Sequence, residues 1–187
     1  MEYVLRCTKC NVAAHDPKFR CGICGAILEV VYDYPKPLKW KHPKARGIAA
    51  YRNLLPVRDK LFSLGEGGTE LKKFASGNRV GKLYLKLETE NPTHTFKDRG
   101  TAVEITKAKE LGFRSVCCAS TGNMGFSLAH YARTFGIGAT IFISRNGNKK
   151  KIDKIRRAGA RIVMVNGDFN AALSEWAEKV RMDARYP

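Results

Sequence analysis

The sequence predicts an α/β fold in which an N-terminal metal ribbon precedes an open, parallel, Rossmann-like sheet. Three observations carry this. Four cysteines within the first 24 residues follow the spacing C-x2-C-x10-C-x2-C. Short apolar runs begin at 115, 139 and 161, at intervals of 24 and 22 residues, and a helical pattern follows each. Glycines at 112, 136 and 159 stand where helices would end. Strands alternating with helices at this interval form parallel sheets, whose ligands sit at the carboxyl ends of the strands.

Residues 1–34 form the ribbon. Cys7, Cys10, Cys21 and Cys24 make two knuckles that can offer four thiolates to one tetrahedral zinc. The segment between the knuckles, NVAAHDPKFR, is too short and polar to build its own core, so a metal would hold it together. Two disulfides or a degenerate, metal-free site are the alternatives, and the absence of an apolar leader in MEYVLRCTKC argues against disulfides. His15 is a solvent-facing bystander, because four thiolates already complete the shell. Residues 26–32 read as the ribbon's last strand.

Residues 35–62 read as a linker. Pro35, Pro37, Pro43 and Pro56 interrupt regular structure, and eight basic residues face the single acid Asp59. A solvated connector and a polyanion-binding arm are the two readings.

Residues 63–187 form the α/β domain. A strand is expected at 83–88. Thr95-x-x-Asp98 resembles a capping box that opens a helix running to about 111. Strands follow at 115–119, 139–144 and 161–165, with helices at 124–135, 148–158 and 169–184. Cys117 and Cys118, inside the first of these strands, are expected to be buried small side chains.

Composition bounds the function. Hydrophobic residues at 44% and charged residues at 27% describe a globular chain. No apolar run approaches the ~18 residues of a membrane span, so a cytoplasmic protein with no membrane partner is expected. With 34 basic and 17 acidic residues the net charge is +17, which invites a polyanion. The basic runs lack interleaved aromatic residues for base stacking. A nucleic-acid module therefore stands as the competing reading.

Three stretches carry chemistry. Asn91-Pro-Thr-His-Thr-Phe-Lys-Asp-Arg-Gly100 places Lys97 in the first turn of a helix, where the macrodipole disfavours a cation. Loss of that charge through a Schiff base is one use for such a lysine, and a snorkelling lysine is the plainer one. Ser120-Thr-Gly-Asn123 follows a strand and opens a helix, so its N–H groups face whatever binds, preferably an anion. Leu64-Gly-Glu-Gly-Gly-Thr-Glu-Leu71 reads in isolation as a turn between strands.

In this order NPTHTFKDRG, ASTGNMG and LGEGGTEL resemble the fold-type II pyridoxal-phosphate enzymes, and the threonine synthases among them most closely. The early cysteine pairs followed by VVYDY resemble the N-terminal ribbon of the archaeal-type members. The resemblance covers essentially the whole chain. It implies that Lys97 is the catalytic lysine that carries pyridoxal 5'-phosphate. It implies that Asn123 hydrogen-bonds the 3' oxygen of the cofactor, and that Ser120, Thr121 and the Met124 N–H hold the substrate carboxylate. The implied substrate is O-phosphohomoserine, a small phosphorylated amino acid; an apolar inter-domain face left exposed would drive self-association, so a homo-oligomer, a dimer or larger, is expected.

Two departures bear on substrate more than on cofactor. His94-Thr95 replaces the usual Gly-Ser before the Phe-Lys, and Met124-Gly125 replaces Thr-Ala, removing a hydroxyl from the carboxylate loop. Cysteate synthase, which uses O-phosphoserine and sulfite, is the related alternative. The family's glycine-rich phosphate loop lies in a later segment that has no counterpart here. The chain is therefore expected to be the N-terminal part of such an enzyme and inactive alone.

Overall fold

A computed structural model describes residues 3–14, 20–32, 45–58, 60–74 and 81–182. His15, most of the proline-rich stretch and positions 183–184 of the expected last helix lie outside the described residues.

The ribbon is a three-stranded antiparallel sheet. β1 (Tyr3–Cys7) lies between β2 (Ala13–Ala14) and β3 (Leu28–Tyr32). Tyr3 pairs with Tyr32 and Cys7 with Leu28, so each knuckle hangs from a strand end. The Lys107 ammonium lies over the Tyr3 ring at 5.1 Å, which joins the ribbon to the α/β unit.

Residues 45–62 depart from a simple connector. Gly47–Leu54 is a 3-10 helix. Ile48 and Leu61 are buried in the main core, because an apolar side chain every dozen residues suffices to tie an irregular strap down. A hairpin of β4 (Leu71–Phe74) and β5 (Leu83–Lys86) follows, and a short 3-10 turn at Glu88–Glu90 leads to the first long helix.

The α/β unit matches the strand positions expected from periodicity. α1 is Lys97–Glu110, β6 Ser115–Ala119, α2 Asn123–Thr134, β7 Gly138–Ser144, α3 Lys149–Arg157, β8 Arg161–Val165 and α4 Phe169–Met182. The sheet is parallel in the order β6-β7-β8. Gly112, Gly136 and Gly159 follow α1, α2 and α3 in the left-handed region that ends helices.

Strand alternation sorts the core. Ile141 and Ile143 on β7 face Ile105 and Leu128 from α1 and α2 and Ile155 from α3. Phe142 points to the other face, where Ala172 and Trp176 of α4 cover it. α3 shows how little is needed: Ile152, Ile155 and the following Ala158 form its buried stripe, and its remaining residues are charged. Replacing fully buried Ile155 by Ala would cost about 2–5 kcal/mol through lost transfer energy and a cavity.

Candidate active site

The loop that leaves the carboxyl end of β6 leads into α2, and α1 begins beside it. Lys97 opens α1 and Asn123 opens α2. The two starts are tied together by buried polar groups. The Ser127 hydroxyl donates to Asp98 Oδ1 at 2.6 Å and lies 2.8 Å from the Thr101 hydroxyl. The Thr101 hydroxyl in turn lies 3.9 Å from the Met124 sulfur.

Asp98 sets the entry to α1. Its carboxylate is fully buried and accepts the Thr93 N–H at 2.6 Å and the Thr93 hydroxyl. The capping box expected between Thr95 and Asp98 is therefore not formed. Helix α1 starts after Phe96 with no side-chain cap, and Thr95 receives only the Lys97 N–H, at 3.4 Å. A buried carboxylate needs several donors, and Thr93 with Ser127 supplies three where the box would supply one. Lys97 is half-buried, with its ammonium 4.5 Å from the centre of the Phe96 ring. Among the described residues no carboxylate forms an ion pair with it.

The segment before Lys97 is held just as firmly. Asn91 is buried, accepts the Gly67 N–H at 2.8 Å and donates to Glu88. Glu88 accepts Nε and Nη2 of Arg99 at 2.8 and 2.7 Å and the Thr69 hydroxyl at 3.1 Å. The Arg99 guanidinium holds the Glu88 carboxyl down at about 2, with help from Asn91 and Thr69. His94 is exposed, in the left-handed region, and its Nδ1–H donates to the Thr89 carbonyl at 2.8 Å. It is a surface histidine.

The stretch from Leu64 to Thr69, expected as a turn between strands, is a strap that buries Glu66 and Thr69 and leaves Gly65 and Gly68 exposed. Fully buried Glu66 accepts the Ser63 hydroxyl at 2.8 Å, the Leu64 N–H at 2.9 Å and the Tyr131 hydroxyl at 2.7 Å. Burial, then the Glu66 charge, pushes the Tyr131 phenol above its ordinary range.

The turn before α2 is stapled by Ser120. Its hydroxyl, buried, accepts the N–H groups of Gly122 at 3.0 Å and Gly125 at 2.8 Å. Gly122 has φ +144°, which only glycine adopts without strain. The Phe126 N–H is taken by the Gly122 carbonyl at 2.8 Å. Among the described residues the N–H groups of Asn123 and Met124 have no partner, and Thr121 and Asn123 are exposed. A helix start with free N–H groups and dipole suits an anion.

The four ribbon cysteines form a separate cluster, with all four sulfurs within 4.8 Å of one another. Cys7 and Cys24 are 3.4 Å apart, and Cys10 and Cys21 are 3.6 Å apart. Four sulfurs at ~2.3 Å from a tetrahedral zinc would lie roughly 3.8 Å apart, whereas a disulfide needs about 2.05 Å. The amide N–H groups of Cys10 and Lys9 lower the Cys7 thiol to about 6, and those of Cys24 and Ile23 lower Cys21. Cys117 and Cys118 are half-buried. The Trp176 indole N–H donates to Cys117 at 3.2 Å, and burial pushes the Cys118 thiol up to about 12.

The basic run on α3 divides. Lys154 and Arg157, with Phe126, His130 and Arg133 of α2, line an open groove of about 500 Å³. Arg133 and Arg157 sit in the last turns of their helices, where the dipole favours cations.

The residues expected from sequence thus fall in two places. Lys97, Asn123, Thr121 and Met124 sit around the adjoining starts of α1 and α2, with Ser120 turned inward as their support. The cysteines stand apart on the ribbon. Sequence reasoning singles out none of Glu66, Glu88 and Arg99, and takes Asp98 only as a helix cap, although the quoted motifs or their flanks contain them. Their acidic or basic character inside glycine-, proline- or lysine-bearing loops was the available signal.

The model of the family described as pyridoxal-phosphate dependent enzyme matches residues 62–186. A threonine synthase of Methanosarcina acetivorans is 36% identical over 186 residues, covering 92% of this chain and 45% of the relative. One of Methanocaldococcus jannaschii is 38% identical over 183 residues, covering 90% of this chain and 44% of the relative. The chain spans under half the length of these curated relatives. Among solved structures, a hydrogen sulfide-producing enzyme from Fusobacterium nucleatum shares the fold, with TM-score 0.59 and 24% identity over 72% of this chain and 46% of that one.

Proposed function

The chain belongs to the pyridoxal-phosphate dependent enzyme family, and from that premise we propose that it is the N-terminal part of a threonine synthase. The reaction is conversion of O-phospho-L-homoserine and water to L-threonine and phosphate. The observation that carries the reading is Lys97, an amine in no salt bridge among the described residues, opening α1 beside the free N–H groups that open α2. These residues fit one side of the cofactor: an amine able to bond an aldehyde, an exposed amide side chain at Asn123, and a helix start suited to an anion.

When bound, pyridoxal phosphate supplies an electron sink that acidifies the substrate α-carbon. Lys97 would hold the cofactor through its Nζ, and its free amine would take the proton from that carbon. Asn123 orients the cofactor ring through its amide. The N–H of Met124 and the Thr121 hydroxyl bind the substrate carboxylate. Ser120 holds the turn that presents them, because its own oxygen is occupied by Gly122 and Gly125. Asp98, buried and bonded on both sides of the lysine, keeps the first turn of α1 in place.

The cysteine cluster is a structural zinc site in this reading. The sulfur spacing supports it, since zinc binds four thiolates tetrahedrally. A cytoplasmic homodimer completes the proposal; no helix among the described residues is long and apolar enough to cross a membrane.

The experiment is Lys97→Ala in the full-length enzyme loaded with cofactor. The visible absorbance band and nearly all phosphate release from O-phosphohomoserine should vanish. An unchanged band would remove Lys97 from the cofactor site. Release of phosphate from O-phosphoserine with sulfite, but not from O-phosphohomoserine, would reject the substrate.

A further inference from the structure

We propose that Lys151 belongs to the substrate site, its ammonium meeting an anionic group of the substrate at the turn that opens α2; this rests on the reading just given. Helix α3 begins with Lys149, Lys150 and Lys151, and its first turn holds no acid. Cations there oppose the helix macrodipole. All three are exposed, but Lys151 alone of the three has its stem lying across Gly122. A Cβ on Gly122 would stand 2.3 Å from Lys151 Cδ, 3.1 Å from its Cβ and 3.2 Å from its Cγ. The missing Gly122 side chain is the space the lysine stem occupies.

The backbone seats it there. The Asn148 side chain caps α3 and accepts the Lys151 N–H at 3.3 Å. Among the described residues no carboxylate pairs with Lys151; Asp153, on the same helix, is taken by Arg156 at 2.6 Å. The free N–H groups of Asn123 and Met124 belong to the same turn. A lysine and a helix start, both positive, are thus held together without a described counter-charge. An oxyanion between them relieves that repulsion. The proposed substrate carries two, a carboxylate and a phosphate ester.

The test uses the full-length holoenzyme with Lys151→Met, which keeps the stem over Gly122 and removes the charge. Lys149→Met removes the same charge from the same helix turn without that contact. KM for O-phosphohomoserine should rise about ten-fold in K151M and less than about two-fold in K149M, with the visible band unmoved in both. Without turnover, calorimetric titration with inorganic phosphate and, separately, with L-threonine names the group. At least about five-fold weaker binding of phosphate by K151M assigns the phosphate ester, and of threonine the carboxylate. Equal KM and equal titrations in K151M and the unsubstituted enzyme overturn the proposal. An equal loss in K149M also overturns it, leaving only the general field of the helix. A visible band absent from the unsubstituted holoenzyme would overturn the cofactor reading as well.

Discussion

Removing the Asp98 carboxylate should destabilise the chain strongly and unseat Lys97 with it. The carboxylate is fully buried and accepts the Thr93 N–H, the Thr93 hydroxyl and the Ser127 hydroxyl. A hydrogen bond to a charged group contributes roughly 1.5–3 kcal/mol, so three would approach ~5–9 kcal/mol in Asp98→Ala. The two hydroxyls can turn to other acceptors, and Thr101 lies 2.8 Å from Ser127, whereas the Thr93 amide cannot turn. The net loss is then about 3–5 kcal/mol. At about 2–4 °C per kcal/mol for a chain of this size, Tm falls by roughly 6–20 °C. Asp98→Asn behaves differently. Its carbonyl can still take the Thr93 amide, and its NH2 can donate to the two hydroxyls, so about 1–2 kcal/mol is lost. Thermal unfolding followed by far-UV circular dichroism measures both variants. An Asp98→Ala chain melting within about 2 °C of the unsubstituted one, or an Asn variant less stable than the Ala variant, would refute the argument from stranded donors.

Glu88 gives a pH dependence. Its folded value of about 2 lies below the ordinary 4.5, so its contribution is complete above pH 4.5 and is lost as pH falls from there towards 2. The side chain is 26% exposed, and after allowing for solvent screening the contribution is on the order of 1–2 kcal/mol. Acid titration of stability should lose this limb in Glu88→Gln; an identical acid profile would show that the pair with Arg99 adds nothing. Gly122→Ala adds a Cβ 2.3 Å from Lys151 Cδ at φ +144°, and should cost about 1–3 kcal/mol. Pairing it with Lys151→Ala removes the 2.3 Å clash but leaves the 3.1 Å approach to the Lys151 Cβ and the backbone strain, so denaturant melts should show partial recovery. For the ribbon, elemental analysis should find one zinc per chain, and Cys24→Ser should lower that content and leave the remaining thiols reactive; full zinc in the serine variant would exclude Cys24 as a ligand.

Local signals in the sequence determined much of this protein. Strands β6, β7 and β8 and their helices were legible because an apolar run, a helical stripe and a closing glycine all act within a dozen residues. The cysteine cluster was legible because two x2 knuckles bring sulfurs together with little help from the rest of the chain. Lys97 and Asn123 were legible as candidates through the resemblance of NPTHTFKDRG and ASTGNMG to a known family; their positions at helix starts left plainer readings open. What the tertiary structure decided lies between elements. Tyr131 meets Glu66 across 65 residues, and Asp98 turns from Thr95 to Thr93 and Ser127. Among the described residues α4 covers the second face of the sheet, with Ala172 and Trp176 packed on Phe142. Lys151, which reads as one charge in a basic helix, lies across Gly122. Periodicity states which face of an element is apolar, but not which neighbour it meets or at what register. A buried acid or a draped lysine finds its partner only when packing has fixed both.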